Sequence, residues 1–223
     1  MTGKSTDGML LALDTSGPAC SIALAQIETG DLLESVSRPM ERGQAEAIIP
    51  MVHGALERGS VSFEDIVTIA VCIGPGSFAG LRAGLSAAKG FALASGAALV
   101  GISAFDAHGR EASNDDWIVL DGRRGEAFIR PKGSSRPGIR LMLDDAPSFD
   151  FETRALHGPF AAELANAAAL PLDQVRPTAP LADIHYIAHL ALDDDWPTRP
   201  ATLDYMRGAD AKVGAGFSLK PVN

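Results

Sequence analysis

The stretch Gly74-Pro75-Gly76-Ser77-Phe78-Ala79-Gly80 is where this sequence comes nearest to a ligand-binding motif. A β-branched run, Ile66 to Ile73, leads into it, and a helical pattern to about Ala94 follows. A strand, a glycine turn and a helix N-terminus together present backbone N–H groups and a positive dipole to an anion. The residue types narrow what that anion is. A Walker loop needs Lys followed by Ser or Thr, whereas Gly80 is followed by Leu81 and Arg82. Gly74-x-Gly76-x-x-Ala79 fits a relaxed dinucleotide fingerprint, but Ala94 to Gly101 lacks the acid that would hold a ribose. The plainer alternative is that the glycines permit a tight turn and a close helix approach, with Ser77 capping the helix.

Asp14 and Asp121 form the best pair for magnesium and phosphate, since each ends an apolar run beside a turn. Acids so placed serve two-domain phosphotransferases. Against that role, the turn after Asp14 carries Ser16 where glycine would let backbone approach phosphate, and no second Asp-x-Gly-Gly turn follows. Local hydrogen bonding at the strand ends is the competing reading. His185 and His189 have zinc-protease spacing, but Tyr186 replaces the general-base Glu and no third ligand lies near. Ser77 does not sit in a Gly-x-Ser-x-Gly elbow. No catalytic residue and no metal site is nominated. Arg123, Arg124, Arg130, Lys132, Arg136 and Arg140 make the one basic stretch, a solvated hairpin face or a weak contact for an RNA backbone.

The elements that position these residues follow from apolar spacing. Met9 to Asp14 reads as a buried strand, Cys20 to Ala25 as a second, and Leu32 to Val36 as a third that returns antiparallel. Gly43 to Arg58 has helical spacing, with Ile48, Val52, Ala55 and Leu56 on one side and Ile49 and Met51 broadening it. Pro50 should kink that helix. Ala97 to Ile102 and Trp117 to Asp121 are strands, and Glu126 to Arg130 is the hairpin partner of the latter. Gly133 to Asp150 reads as a loose insertion or joint, Phe160 to Leu170 and Leu181 to Leu192 as helices. The run Asp193-Asp194-Asp195 reads as a solvated end.

Gly80, Gly84 and Ala88 recur every four residues and lay a small-residue groove along one helix face. It accepts either the Gly43 to Arg58 helix of the same chain or a helix of a second protein.

Composition sets the outer limits. The 223 residues are 46% hydrophobic and 21% charged, enough apolar side chain for a sizeable core and incompatible with disorder. A net charge of -9 argues against a chain that grips nucleic acid unaided. Cys20 and Cys72 are too few for a disulfide framework, so a reducing, cytoplasmic setting is expected. Lys89, Gly90, Ser95 and Gly96 interrupt the longest small-apolar stretch, so no membrane span is expected.

Leu11-Ala12-Leu13-Asp14-Thr15-Ser16, Gly74 to Arg82, Ala88-Lys89-Gly90 and Asp121 to Glu126 together resemble the TsaB (YeaZ) family, strongly from Met9 to Arg130 and again at Tyr205-Met206-Arg207. The resemblance implies a two-lobed actin/hexokinase-like (ASKHA) fold, each lobe a mixed β-sheet with flanking helices. It places an N-terminal lobe at 1–103 and a shorter, less regular C-terminal lobe at 104–223. It further implies a non-catalytic subunit in making N6-threonylcarbamoyladenosine at position 37 of tRNA, paired with a TsaD-like catalytic subunit and joined by a TsaE-like ATPase. TsaD binds metal and nucleotide through a His-x-x-x-His helix, and the segment after Lys89 has no such pair. ATP and metal are therefore expected on the partners, with none on this chain, and tRNA is met through the complex only. A homodimer is expected when the partner is absent. The partner face is expected on Ile48, Met51, Val52, Ala55, Gly80, Gly84, Leu85 and Ala88. A vestigial nucleotide loop is expected at Asp14, Ser16, Gly74, Gly76, Ser77 and Asp121. The chain departs from the family pattern at Ala79, usually Thr, and at Ala83, usually a larger aliphatic residue. The peptidase-like label of the family descends from an older glycoprotease classification, and no residue here supports proteolysis. The rival enzyme reading is an ATP-dependent phosphotransferase or ATPase of the same superfamily using Asp14 and Asp121.

Overall fold

The computed structural model describes residues 8–193 and 199–206. Two five-stranded mixed sheets with flanking helices realise the expected actin/hexokinase-like architecture. The first sheet begins with an antiparallel meander of β1 (Met9–Asp14), β2 (Ala19–Gln26) and β3 (Leu32–Pro39). Helix α1 (Gln44–Gly59) then crosses to β4 (Ile66–Gly74), parallel to β1, and α2 (Phe78–Ser95) crosses to β5 (Ala98–Ser103), parallel to β4. The order is β3-β2-β1-β4-β5. After α3 (Ala104–His108) the second sheet forms from β6 (Trp117–Arg123), β7 (Glu126–Pro131), β8 (Ile139–Met142), β9 (Leu156–Gly158) and β10 (Val175–Pro177), in the order β10-β9-β6-β7-β8. Helices α4 (Ala161–Ala167) and α5 (Ile184–Leu192) complete the described elements.

The central strands β1 and β4 are covered on both faces, which is why they read as near-continuous apolar runs. Alternation divides them. Leu11, Leu13, Ile22, Leu24, Ile69 and Val71 pack with Ile48, Val52, Leu85 and Ala88 of α1 and α2. Ala12, Ala23, Ala25, Ala70 and Cys72 point the other way, and these small side chains let α5 seat Ile187 and Leu190 close to the sheet. The same core takes Ile118, Leu120 and Phe128 from the second sheet, so the two lobes share apolar contacts as well as a chain. Each fully buried Leu or Ile here stabilises the fold by about 1.5–3 kcal/mol. A separate cluster around Trp117, Val119, Ile129, Phe151, Leu156 and Leu164 holds the second lobe. Of the stretch after residue 104, α5 and residues 199–206 return to the first sheet, the latter through a bridge between Gly101 and Arg199.

Several local expectations change. The third strand runs on to Pro39, and α1 continues through Pro50, which lies on its exposed side. Gly133 to Asp150 is no loose insertion: it contains β8 and a 3-10 turn at Leu143–Ser148, each too short to show a period in sequence. The last helix starts at Ile184 instead of Leu181, because Asp183 caps it by accepting the His185 N–H at 3.0 Å. Helix Phe160 to Leu170 shortens to Ala161–Ala167. Asp194, Asp195 and Arg207 lie outside the described residues.

Candidate functional site

The end of β1 and the loop into α2 form one interlocked unit. Asp14 Oδ1 accepts the Ser16 N–H at 2.8 Å, closing the turn on itself. Thr15 Oγ1 donates to the Gly80 carbonyl at 2.7 Å, and the Ser77 N–H donates to the Ser16 carbonyl at 2.7 Å. The glycines make this fit. A Cβ at Gly80 would stand 2.0 Å from the Thr15 carbonyl oxygen, and one at Gly84 would stand 2.4 Å from Thr15 Oγ1. The Gly80 and Gly84 part of the small-residue groove is therefore filled by the Asp14 to Ser16 turn of the same chain, while Ala88 packs in the core that α2 shares with α1. Gly76 meets Ser16 in the same way, its Cβ position 2.5 Å from the Ser16 carbonyl.

This arrangement redirects donors that an anion would use. Ser77 Oγ accepts the Gly80 N–H at 3.3 Å, as an N-cap should, while the Ser77 N–H is held by Ser16. Asp14 is buried, at 6% exposure, and burial pushes its carboxyl above the usual range despite the lowering pull of the Ser16 hydrogen bonds. A buried acid with its own amide partner is poorly placed to meet a solvated cation.

Opposite stands the β6–β7 hairpin. Asp121 Oδ1 accepts the Arg123 N–H at 2.7 Å, and Arg123 Nε lies 3.3 Å from Asp121 Oδ2. Arg124 and Gly125 form the two-residue loop, at φ 54 and 76, and Arg123 before them is also left-handed at φ 62 beside a bulge. Two consecutive arginines in this region cost about 1–2 kcal/mol each relative to glycine, so the loop is strained to carry them. Between the two units lies a cleft of about 1220 Å³. Ser16, Gly76 and Ser77 line one wall, Asp121, Arg123 and Arg124 the other. A strap closes its rim: the Asp204 N–H donates to the Ile73 carbonyl, and Tyr205 stacks on Phe78 at 5.3 Å while its hydroxyl accepts from Arg82 Nε.

Of the six residues expected as a vestigial nucleotide loop, Ser16, Gly76, Ser77 and Asp121 face this cleft, while Asp14 and Gly74 lie beneath it. Asp14 and Asp121 thus do not share a cavity. The eight residues expected on the partner face, Ile48, Met51, Val52, Ala55, Gly80, Gly84, Leu85 and Ala88, are all buried in this chain's own interior. They set the positions of α1 and α2, whose exposed sides carry Ile49, Phe78 and Leu93 instead. The basic stretch is divided: Arg123, Arg124 and Arg136 are exposed, while the other three are engaged within the chain. Arg130 is buried in an ion pair with Asp106 and packs over Phe105, Lys132 donates to the Ala112 carbonyl, and Arg140 approaches Glu126 at 3.5 Å. His185 contacts Ser35 and Asp183, His189 is exposed, and no group of three metal-ligating side chains occurs among the described residues. Sequence reasoning missed the Arg82–Phe78–Tyr205 stack. It depends on contacts across 123 positions, which no local spacing announces.

No helix among the described residues is long and apolar enough to cross a membrane. A family model described as TsaD, tRNA N6-adenosine threonylcarbamoyltransferase, matches residues 38–178. An uncharacterized Mycobacterium tuberculosis protein is 31% identical over 91% of this chain and 93% of its own length. Escherichia coli tRNA threonylcarbamoyladenosine biosynthesis protein TsaB is 35% identical over 53% of this chain and 52% of its own. The solved structure of YeaZ from Pseudomonas aeruginosa superposes with a TM-score of 0.64 at 25% identity, covering 82% of this chain and 90% of that one. Sequence and fold agree: the chain belongs to the TsaB/YeaZ family, within the TsaD-like (peptidase M22) domain group.

Proposed function

We propose that this chain is a non-catalytic scaffold in the tRNA N6-threonylcarbamoyladenosine (position 37) modification complex, binding a TsaD-like catalytic subunit and stabilising its active conformation. The observation that carries this reading is the placement of Asp14, buried below the cleft and engaged by the Ser16 amide. Phosphoryl transfer in a two-lobed protein needs an acid that can meet magnesium, and this one is turned inward. On this reading ATP and metal belong to the partner subunits, a TsaE-like ATPase joins them, and tRNA is met through the cytoplasmic assembly. The partner face is the exposed side of α1 and α2, where Ile49 at 65% and Leu93 at 89% exposure leave apolar surface in water. The same face serves a homodimer when the partner is absent.

Size-exclusion chromatography with light scattering, on this chain, on the TsaD-like protein of the same organism and on their mixture, tests the reading. A mixed species at one-to-one mass is expected, lost with Leu93→Asp or Ile49→Asp at unchanged melting temperature. No mixed species, with or without nucleotide, would sink it. The cleft of about 1220 Å³ favours one rival, an ATP-dependent phosphotransferase using Asp121 and Asp14, because it exceeds an ordinary ligand pocket. A magnesium-dependent heat of ATP binding abolished by Asp14→Asn would put that rival in its place.

A further inference from the structure

We propose that the outer edge of β3 pairs antiparallel with the same edge of a second copy of this chain, about a two-fold axis through Val36. This surface is separate from the exposed sides of α1 and α2, and the proposal does not rest on the scaffold reading. β3 ends the order of the first sheet, so among the described residues no strand pairs with its outer side. Which backbone groups face outward follows from the register. The Met40 N–H donates to the Pro18 carbonyl at 3.0 Å, and the pairs run back from there as Pro39 with Ala19, Arg38 with Cys20 and Ser37 with Ser21. Antiparallel pairs alternate between bonded and unbonded, so Arg38, Val36 and Glu34 turn their N–H and C=O groups toward β2. Ser35 and Ser37 therefore turn theirs outward, and Pro39, which has no N–H to offer, ends that row of donors. The flanking helices leave the edge open. Helix α1 packs on β2 as well as β3, and α5 on β1 and β2 as well as β3, so both sit inboard of it.

Charge fixes the partner and the register. Charged residues on an edge strand discourage pairing with arbitrary strands, and the same charges admit a strand whose signs are opposite. In β3 they stand symmetrically, Glu34 and Arg38 each two residues from Val36. With the axis at Val36, Ser35 of each copy faces Ser37 of the other, and each such pair exchanges two backbone hydrogen bonds. Val36 meets Val36 at the closer, unbonded spacing, and Glu34 stands directly opposite Arg38 at both ends. These three side chains lie on the α1 side, where Val36 packs against the core and Glu34 accepts from Arg58 Nε at 3.0 Å. Arg38 is exposed and has no ion-pair partner among the described residues. On the α5 side Ser35 and Ser37 are small, so two sheets can meet there without crowding. An axis at Glu34 or Arg38 sets like charges opposite each other, and an axis at Ser35 or Ser37 leaves each charge without its opposite. Only the register centred on Val36 matches both ends.

Sedimentation equilibrium tests this on the full chain carrying Leu93→Asp, which removes association through the helix face. Five residues a side are far fewer than the roughly 20–30 of a standard interface, so dimers are expected only at protein concentrations on the order of 100 μM. Raising salt from about 50 to about 500 mM is expected to weaken them about threefold. Arg38→Glu and Glu34→Arg each set like charges opposite each other and are each expected to weaken self-association about tenfold. Mixed one to one, these two variants regain opposite charges at both ends and are expected to dimerise with each other as the parent does. Ser35→Pro removes an outward N–H, spares the β2 ladder and is expected to abolish the dimer. Thermal melting checks that each variant is folded, and if one charge variant does not fold, Ser35→Pro and the salt series still decide. No dimer up to about 1 mM, a dimer indifferent to Arg38→Glu or to Ser35→Pro, or a mixture that associates no better than its components would overturn the proposal. Loss of the mixed species with the TsaD-like protein bears on the scaffold reading alone.

Discussion

The turns after β1 and after β6 are written in the same grammar, a buried apolar strand, an aspartate and a tight reversal, yet they end in opposite situations. Both aspartates accept the amide two residues on, Asp14 from Ser16 and Asp121 from Arg123. Asp14 is then roofed by the Gly74 to Gly80 loop, which docks on Thr15 and Ser16 through positions where no side chain fits. Asp121 has nothing above it but the cleft, and its turn holds two arginines in left-handed backbone. An acid at a strand end is therefore a turn-forming group first. Whether it becomes a site depends on what covers it, and the covering element comes from sixty residues further along.

The largest effect should follow from prising the covered turn open. Gly80→Ala puts a methyl group against the Thr15 carbonyl and is expected to destabilise the fold by about 3 kcal/mol or more, read as a fall in melting temperature. Gly90→Ala, on the open side of the same helix, is expected to stabilise by up to about 1 kcal/mol. Equal responses would erase the distinction drawn between the two faces of α2. Next comes charge. Asp14 has a folded pKa above its unfolded value, so its contribution favours the native state below the usual carboxylate range and is lost as pH rises through the raised value. Asp14→Asn keeps the Oδ1 acceptor and removes that loss; urea unfolding near neutral pH should show unchanged or greater stability. A drop beyond about 2 kcal/mol would mean that the carboxylate has a partner that needs its charge. Ser77→Ala removes the helix cap and should cost about 1 kcal/mol by thermal melting. The smallest effects belong to the open turn. Asp121→Asn, which loses only a solvent-facing pair with Arg123, should change stability by less than about 1 kcal/mol. Arg124→Asn should raise it by about 0.5 kcal/mol, since Asn tolerates the left-handed conformation.

Much of the first lobe was legible before any coordinates. Met9 to Asp14 is apolar enough, and Ile66 to Ile73 apolar and β-branched enough, to read as strands, and Ser77 before a helical pattern is a cap by its chemistry. The second lobe was harder because β8, β9 and β10 have four, three and three residues, too few to display a period of two. The small-residue face of α2 was also legible, as a place where something approaches closely. Its occupant was not, because a turn and a helix ask the same thing of glycine.

His157 marks the same boundary from the other side. Its neighbours Leu156 and Gly158 in β9, between β6 and β10, do not announce that the residue is buried with Nε2 unpartnered among the described residues. By itself the sequence determined the residue chemistry, the strand and helix periods and the family, all of which depend on neighbours a few positions apart. The tertiary structure decided which acid is covered, which helix faces remain in water and which nitrogen lacks a donor. Those are properties of burial, and burial is set by elements that meet in space after long separations along the chain.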